Sequence, residues 1–187
     1  MLLGLALVLC LATVPLAGGR LLLLADVRFR AVWLLVVAIG AQIVILEVVA
    51  SSAETVLELV HLASYVLIGV FLVVNRHLRY LWLVALGGAL NFVAIAANGG
   101  VMPADAGALA AAGLANDPAL FTNSAAVADA RLGFLGDVFF VPSSWPASNV
   151  FSIGDVVIVL GTLLFVHAAC GSRRLRRGGA RPIAHAG

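Results

Sequence analysis

Ser152-Ile153-Gly154-Asp155-Val156-Val157-Ile158-Val159-Leu160-Gly161-Thr162-Leu163-Leu164-Phe165-Val166-His167-Ala168-Ala169 begins with a helix-start signal and stays apolar to its end. Ser152 and Asp155 have the spacing of a capping box, in which hydroxyl and carboxylate each accept the other residue's backbone N–H. A helix needs roughly 20 apolar residues to cross a bilayer. Segments 2–24, 31–50, 56–74, 80–97 and 151–169 meet that length. Backbone polar groups in lipid must find partners inside their own segment, which selects helices. The expected fold class is all-α: a polytopic membrane helix bundle with about five transmembrane helices and an extracytoplasmic loop cap, residues 98–150. Residues 1–172 form a single domain and 173–187 a basic tail.

The chain is 63% hydrophobic and 11% charged. A soluble domain is nearer half apolar and about a quarter charged, so a membrane protein with short loops is indicated. A net charge of +2 argues against nucleic acid as a partner. There is no Lys, and ten of the eleven Arg fall on one side of the five-span layout: Arg20, Arg28, Arg30, Arg76, Arg79, Arg173, Arg174, Arg176, Arg177 and Arg181. Short loops rich in basic residues stay cytoplasmic, which sets the N-terminus outside and the C-terminus inside the bacterial cytoplasmic membrane. The arginine tail reads as an anchor beside anionic headgroups. Glu54, Asp105, Asp117, Asp129 and Asp137 fall in the outer loops. Met1-Leu2-Leu3-Gly4 lacks the positive charge of a signal peptide, so the first segment reads as a retained span. Cys10 and Cys170 lie in different apolar runs and imply no disulfide framework.

The segment 98–150 is long for a connection and reads as a cap over a site. Asn98-Gly99-Gly100 signals a turn. Residues 104–114, after Pro103, predict a short helix. Residues 124–134 predict a second, and Trp145 fits an interfacial aromatic belt.

Asp137 and Asp155 are the leading chemical candidates, because ionisable groups beside an apolar span are costly and mark functional sites. Two adjacent carboxylates do not both ionise easily, so one acts as acid while the other activates water. Against this stand a capping role for Asp155 and a solvated loop role for Asp137. Glu54, Glu58 and His61 share one helix face, with Glu47 near them. With no second His close by, a metal site is not expected. No cofactor is expected either, since phosphate-loop and dinucleotide fingerprints are missing. Gln42 and Asn91 are mid-span polar residues that read as interhelical hydrogen-bond partners, and Gly87, Gly88, Gly154 and Gly161 as points of close helix approach.

The stretch from Trp145 to Gly161 resembles the last-helix signature of the lipoprotein signal peptidases. Phe151, Asp155 and Gly161 keep that signature's positions, with Ser152 and Gly154 replacing its Asn and Ala. Gly133-Phe134-Leu135-Gly136-Asp137 is similar to the family's other Asp motif, and Leu86-Gly87-Gly88-Ala89-Leu90-Asn91 to the Gly-rich stretch of its third helix. The family's first-loop Asn-x-Gly-Ala-Ala-Phe motif and its Asp-Arg pair are absent from this chain. The resemblance implies an extracytoplasmic Asp dyad that cleaves a lipid-anchored protein. The wider layout, from Asn98-Gly99-Gly100 through Leu135-Gly136-Asp137 to Ile153-Gly154-Asp155, resembles an uncharacterised bacterial membrane family known only as a domain of unknown function, which implies no activity.

The expected function is an aspartyl hydrolase centred on Asp137 and Asp155, with Asn98, Asn149, Ser152, Glu58 and His61 in the substrate site. Its expected partners are the lipid bilayer and a lipid or lipid-anchored substrate. A non-catalytic scaffold and a small ion-coupled transporter using Glu47, Glu58 and His61 are the alternatives.

Overall fold

The computed structural model of the chain describes residues 2–48, 54–114, 124–125, 127 and 129–172. The arginine tail and Asp117 lie outside the described residues. Helix α1 is Leu2–Leu16, α2 Trp33–Val48, α3 Glu54–Val74, α4 Leu81–Ala97, α5 Ala106–Ala111 and α6 Ile153–Ala169. Strand β1 is Met102–Pro103, β2 Ser124–Ala125, β3 Phe139–Val141 and β4 Asn149–Phe151. Short 3-10 turns occupy Leu21–Asp26 and Gly133–Leu135.

These bounds overturn the five transmembrane helices expected from hydropathy. The apolar stretch 2–24 is not one helix: α1 ends after 15 residues, Gly18 takes a φ of 71°, and the chain re-enters as a 3-10 turn. Helices α2, α4 and α6 have 16, 17 and 17 residues. At 1.5 Å per residue they reach about 24 to 26 Å, short of the roughly 30 Å hydrocarbon layer. Helix α3 has 21 residues and begins at Glu54. Among the described residues no helix is long and apolar enough to cross a membrane. Nor is the fold all-α: β1 pairs with β2 in parallel, and β3 pairs with β4 antiparallel in the register Phe139–Phe151 and Val141–Asn149.

Helix α4 packs most extensively on α6, and glycine is the reason. A Cβ at Gly87 would come within 2.8 Å of the Ile158 backbone nitrogen, and one at Gly161 within 2.8 Å of that of Val84. Gly88, expected to serve the same contact, faces open space. Helix α2 packs on α3, α3 on α4 and α1 on α6. Leu34, Phe71, Leu72 and Leu81 join α2, α3 and α4, while Val14, Val166 and Cys170 join α1 to the end of α6. Cys10 and Cys170 are buried free thiols. Asn75, fully buried at the end of α3, accepts from the Arg30 N–H at 2.7 Å and donates to the carbonyls of Arg30 and Phe71.

In the cap, the helix expected over 104–114 shrinks to α5. Asp105 caps it by accepting from the Ala108 N–H at 2.8 Å, and Pro103 sits in β1 instead of the helix's first turn. The helix expected over 124–134 does not form. Ser124–Ala125 is strand β2, and positive φ at Asp129 and Leu132 (55° and 54°) excludes a continuous helix.

Candidate functional site

Asp155 is delivered by the first turn of α6. The capping box forms in full: the Ser152 hydroxyl accepts from the Asp155 N–H at 3.0 Å, and Asp155 Oδ2 accepts from the Ser152 N–H at 3.0 Å. The other carboxylate oxygen, Oδ1, accepts from Nδ2 of Asn91 at 2.9 Å. Asn91 completes the circuit, its Oδ1 accepting from the fully buried Ser152 hydroxyl at 2.8 Å. Asn91 is thus the interhelical partner its sequence position suggested, and its target is the candidate acid itself.

Asp137 arrives by strand pairing. Its N–H donates to the Pro103 carbonyl at 2.8 Å, and its carbonyl accepts from the Asp105 N–H at 3.0 Å. The residue is 5% exposed, so its carboxyl group is not the solvated loop acid considered as an alternative.

The glycine of each Gly-Asp pair serves one physical purpose. A Cβ at Gly136 would collide with the Pro103 carbonyl oxygen, and one at Gly154 with the Asn91 carboxamide. Each glycine gives the room that brings its following aspartate against a neighbouring element. That common role is not visible in the chain, because it depends on what lies opposite.

Tyr65 of α3 ties the two acids together. It packs beside Ala94, Ile95 and Met102, with its ring centroid 6.0 Å from that of Phe92. Burial pushes its phenol above the usual tyrosine range, and the charges of Asp155 and then Asp137 push it further. Both carboxylates therefore act on one hydroxyl. Sequence reasoning missed Tyr65. The only signal was a polar pair, Ser64-Tyr65, inside an otherwise apolar stretch.

The other expected substrate residues divide. Ser152 belongs to the Asp155 network. The carboxamide of Asn149, in β4, accepts from the N–H of Val150 at 3.0 Å. Asn98 is a latch at the end of α4. Its Nδ2 donates to the carbonyls of Ala94 and Arg131 at 2.7 Å, and its Oδ1 accepts from the Arg131 N–H at 2.9 Å. Glu58 and His61 lie on α3 and Glu47 on α2, but their side chains, like that of Gln42, are outside the described part of the structure. Among the described residues no group of three or more His, Cys, Asp or Glu is gathered that would hold a metal ion.

A family model described as a family of unknown function, DUF5317, matches residues 26–167. No curated protein and no solved structure matches the chain. The wider resemblance to an uncharacterised family is thereby shown, and the resemblance to the lipoprotein signal peptidases finds no support.

Proposed function

The chain belongs to this family of unknown function, and we propose from its site geometry that it is a hydrolase in which Asp137 and Asp155 activate water at a lipid boundary. The observation that carries the reading is convergence. A carboxyl buried beside β1 and a carboxylate fixed by Asn91 and Ser152 at the start of α6 both lie within electrostatic reach of buried Tyr65. In a shared-proton pair one acid takes the proton of the attacking water while the other protonates the developing oxyanion, and the departing group then collects a proton. Asp155, already an acceptor for two N–H donors, serves as base; buried Asp137 serves as acid.

The lipid boundary is supported by apolar surface. Val36, Val73 and Trp82 are 66%, 62% and 59% exposed on α2, α3 and α4. Large exposed apolar residues gathered on a surface mark partner or membrane contact. Nearer the site, Leu59, Val66 and Val93 on α3 and α4 are also exposed, at 61%, 54% and 46%, and a lipid or lipid-anchored substrate would meet the site from there.

The test uses the purified full chain in phospholipid vesicles with fluorogenic lipid-anchored peptide and ester substrates. Asp137→Asn and Asp155→Asn are each expected to lower turnover by about 10²-fold or more, the scale of a lost acid or base. Wild-type turnover in both variants would overturn the proposal.

A further inference from the structure

Beside the segment that carries Asp137 lies a cavity of about 530 Å³, with Pro103, Ala104, Ala106, Val127, Ala130 and Val138 in its wall. That volume is in the range of small-molecule sites, roughly 300 to 1,000 Å³. These side chains are small and apolar, which is what leaves the space. The charged group in the wall, Asp105, is occupied: its carboxylate caps α5 through the Ala108 N–H. Among the described residues the wall thus offers mainly apolar contact.

Its position links it to the candidate acids. Pro103 and Asp105 exchange backbone hydrogen bonds with Asp137, and Val138 directly follows it. Arg131, the one arginine of eleven outside the basic side of the sequence layout, is exposed in the turn that holds Ala130 and Gly133. Asn98 fixes that turn by bonding both the N–H and the carbonyl of Arg131. The same cap exposes Phe134 and Trp145, at 69% and 66%. Amphipathic aromatic rings favour the headgroup level of a bilayer.

We propose that this cavity is a subsite for the acyl chain of an anionic glycerolipid, with the Arg131 guanidinium meeting the phosphate. Resting on the hydrolase reading, it names that site's substrate class: a molecule presented through such a lipid, its chain in the cavity and its reacting bond at Asp137 and Asp155. A side chain at Gly133 would meet nothing nearer than the Ala130 Cβ, at 3.6 Å. Leucine there adds bulk at the cavity wall without forcing the backbone.

The experiment places the full chain in phosphatidylcholine vesicles containing a phosphatidic acid whose acyl chain carries a photoactivatable group. Cross-links are mapped by mass spectrometry. Labelling of segments 103–106 and 127–138 is expected, with the α4 surface as an internal control for folding and lipid contact. Gly133→Leu should reduce cap labelling about tenfold and spare the control. Arg131→Gln should reduce it for phosphatidic acid and leave it unchanged for a diacylglycerol probe. Labelling confined to the control, or cap labelling unaltered by Gly133→Leu, overturns the subsite; unequal probes unaffected by Arg131→Gln overturn the phosphate contact. Asp137→Asn and Asp155→Asn should leave labelling intact. If they also leave hydrolysis intact, the catalytic reading fails while the subsite stands.

Discussion

Asn91 serves two partners with one carboxamide, donating to Asp155 and accepting from Ser152. Leucine at that position would strand a buried hydroxyl and remove a donor from the carboxylate. A buried group left unsatisfied costs about 1 to 3 kcal/mol, so Asn91→Leu should lower the unfolding free energy measured by denaturant titration by that amount. Asp155→Ala removes the carboxylate half of the capping box and leaves Ser152 as N-cap, a loss of about 0.5 to 1.5 kcal/mol. The double variant should lose less than the sum, since the residues share one network. Tyr65 makes a pH prediction. Its phenol is raised above the ordinary tyrosine range, first by burial and then by the two aspartates. As pH rises past the ordinary tyrosine value, the unfolded chain releases a proton that the folded chain retains. The stabilisation is therefore complete below that value and is lost as pH climbs towards the raised one. Stability titrated above neutral pH should show this loss in the wild type and less of it in Tyr65→Phe. Equal slopes would count against the placement of both charges at the phenol.

Among the elements, α4 and α6 decide whether the site forms. Gly154→Ala and Gly161→Ala each drive a Cβ into the facing helix, and overpacking of this kind costs about 1 to 3 kcal/mol. Gly88→Ala should be neutral or stabilising by roughly 0.5 to 1 kcal/mol, because it meets open space and alanine favours the helix. Thermal melts of the three variants check this ordering. The sequence pointed to all of these glycines alike. Gly87 and Gly88 are adjacent, so one turns about 100° from the other, and only the helix phase against α6 selects between them. Helix limits were similarly half legible. The Ser152 cap was readable, since a capping box is local, whereas the break after Leu16 was hidden in continuous apolarity.

For the whole molecule, the distribution of apolar side chains is the guiding fact. Large apolar residues lie exposed on α2, α3 and α4, and exposed apolar surface of this kind marks a partner or membrane contact. With lipid as their cover, the protein should co-float with phosphatidylcholine vesicles on a density gradient. A protein that stays at the bottom of the gradient would refute lipid contact. The cap was foreseen as a unit but not its build. Its strands pair residues far apart, Met102 with Ser124 and Phe139 with Phe151, and each is two or three residues long. Periodicity has nothing to act on over such lengths.

Local chemistry was determined by the chain alone: the helical character of the apolar segments, the Ser152–Asp155 cap, the arginine distribution and the two Gly-Asp pairs. These depend on neighbours within one turn or on composition, which the linear order records. Tertiary structure alone decided that no helix among the described residues is long and apolar enough to cross a bilayer, that Asn91 grips Asp155, and that Asp137 is buried against β1. It also brought Tyr65 under the influence of both acids. These outcomes depend on which surfaces meet. The missing Cβ atoms at Gly136 and Gly154 permit those meetings, but no pattern along the sequence states what will fill the space they leave.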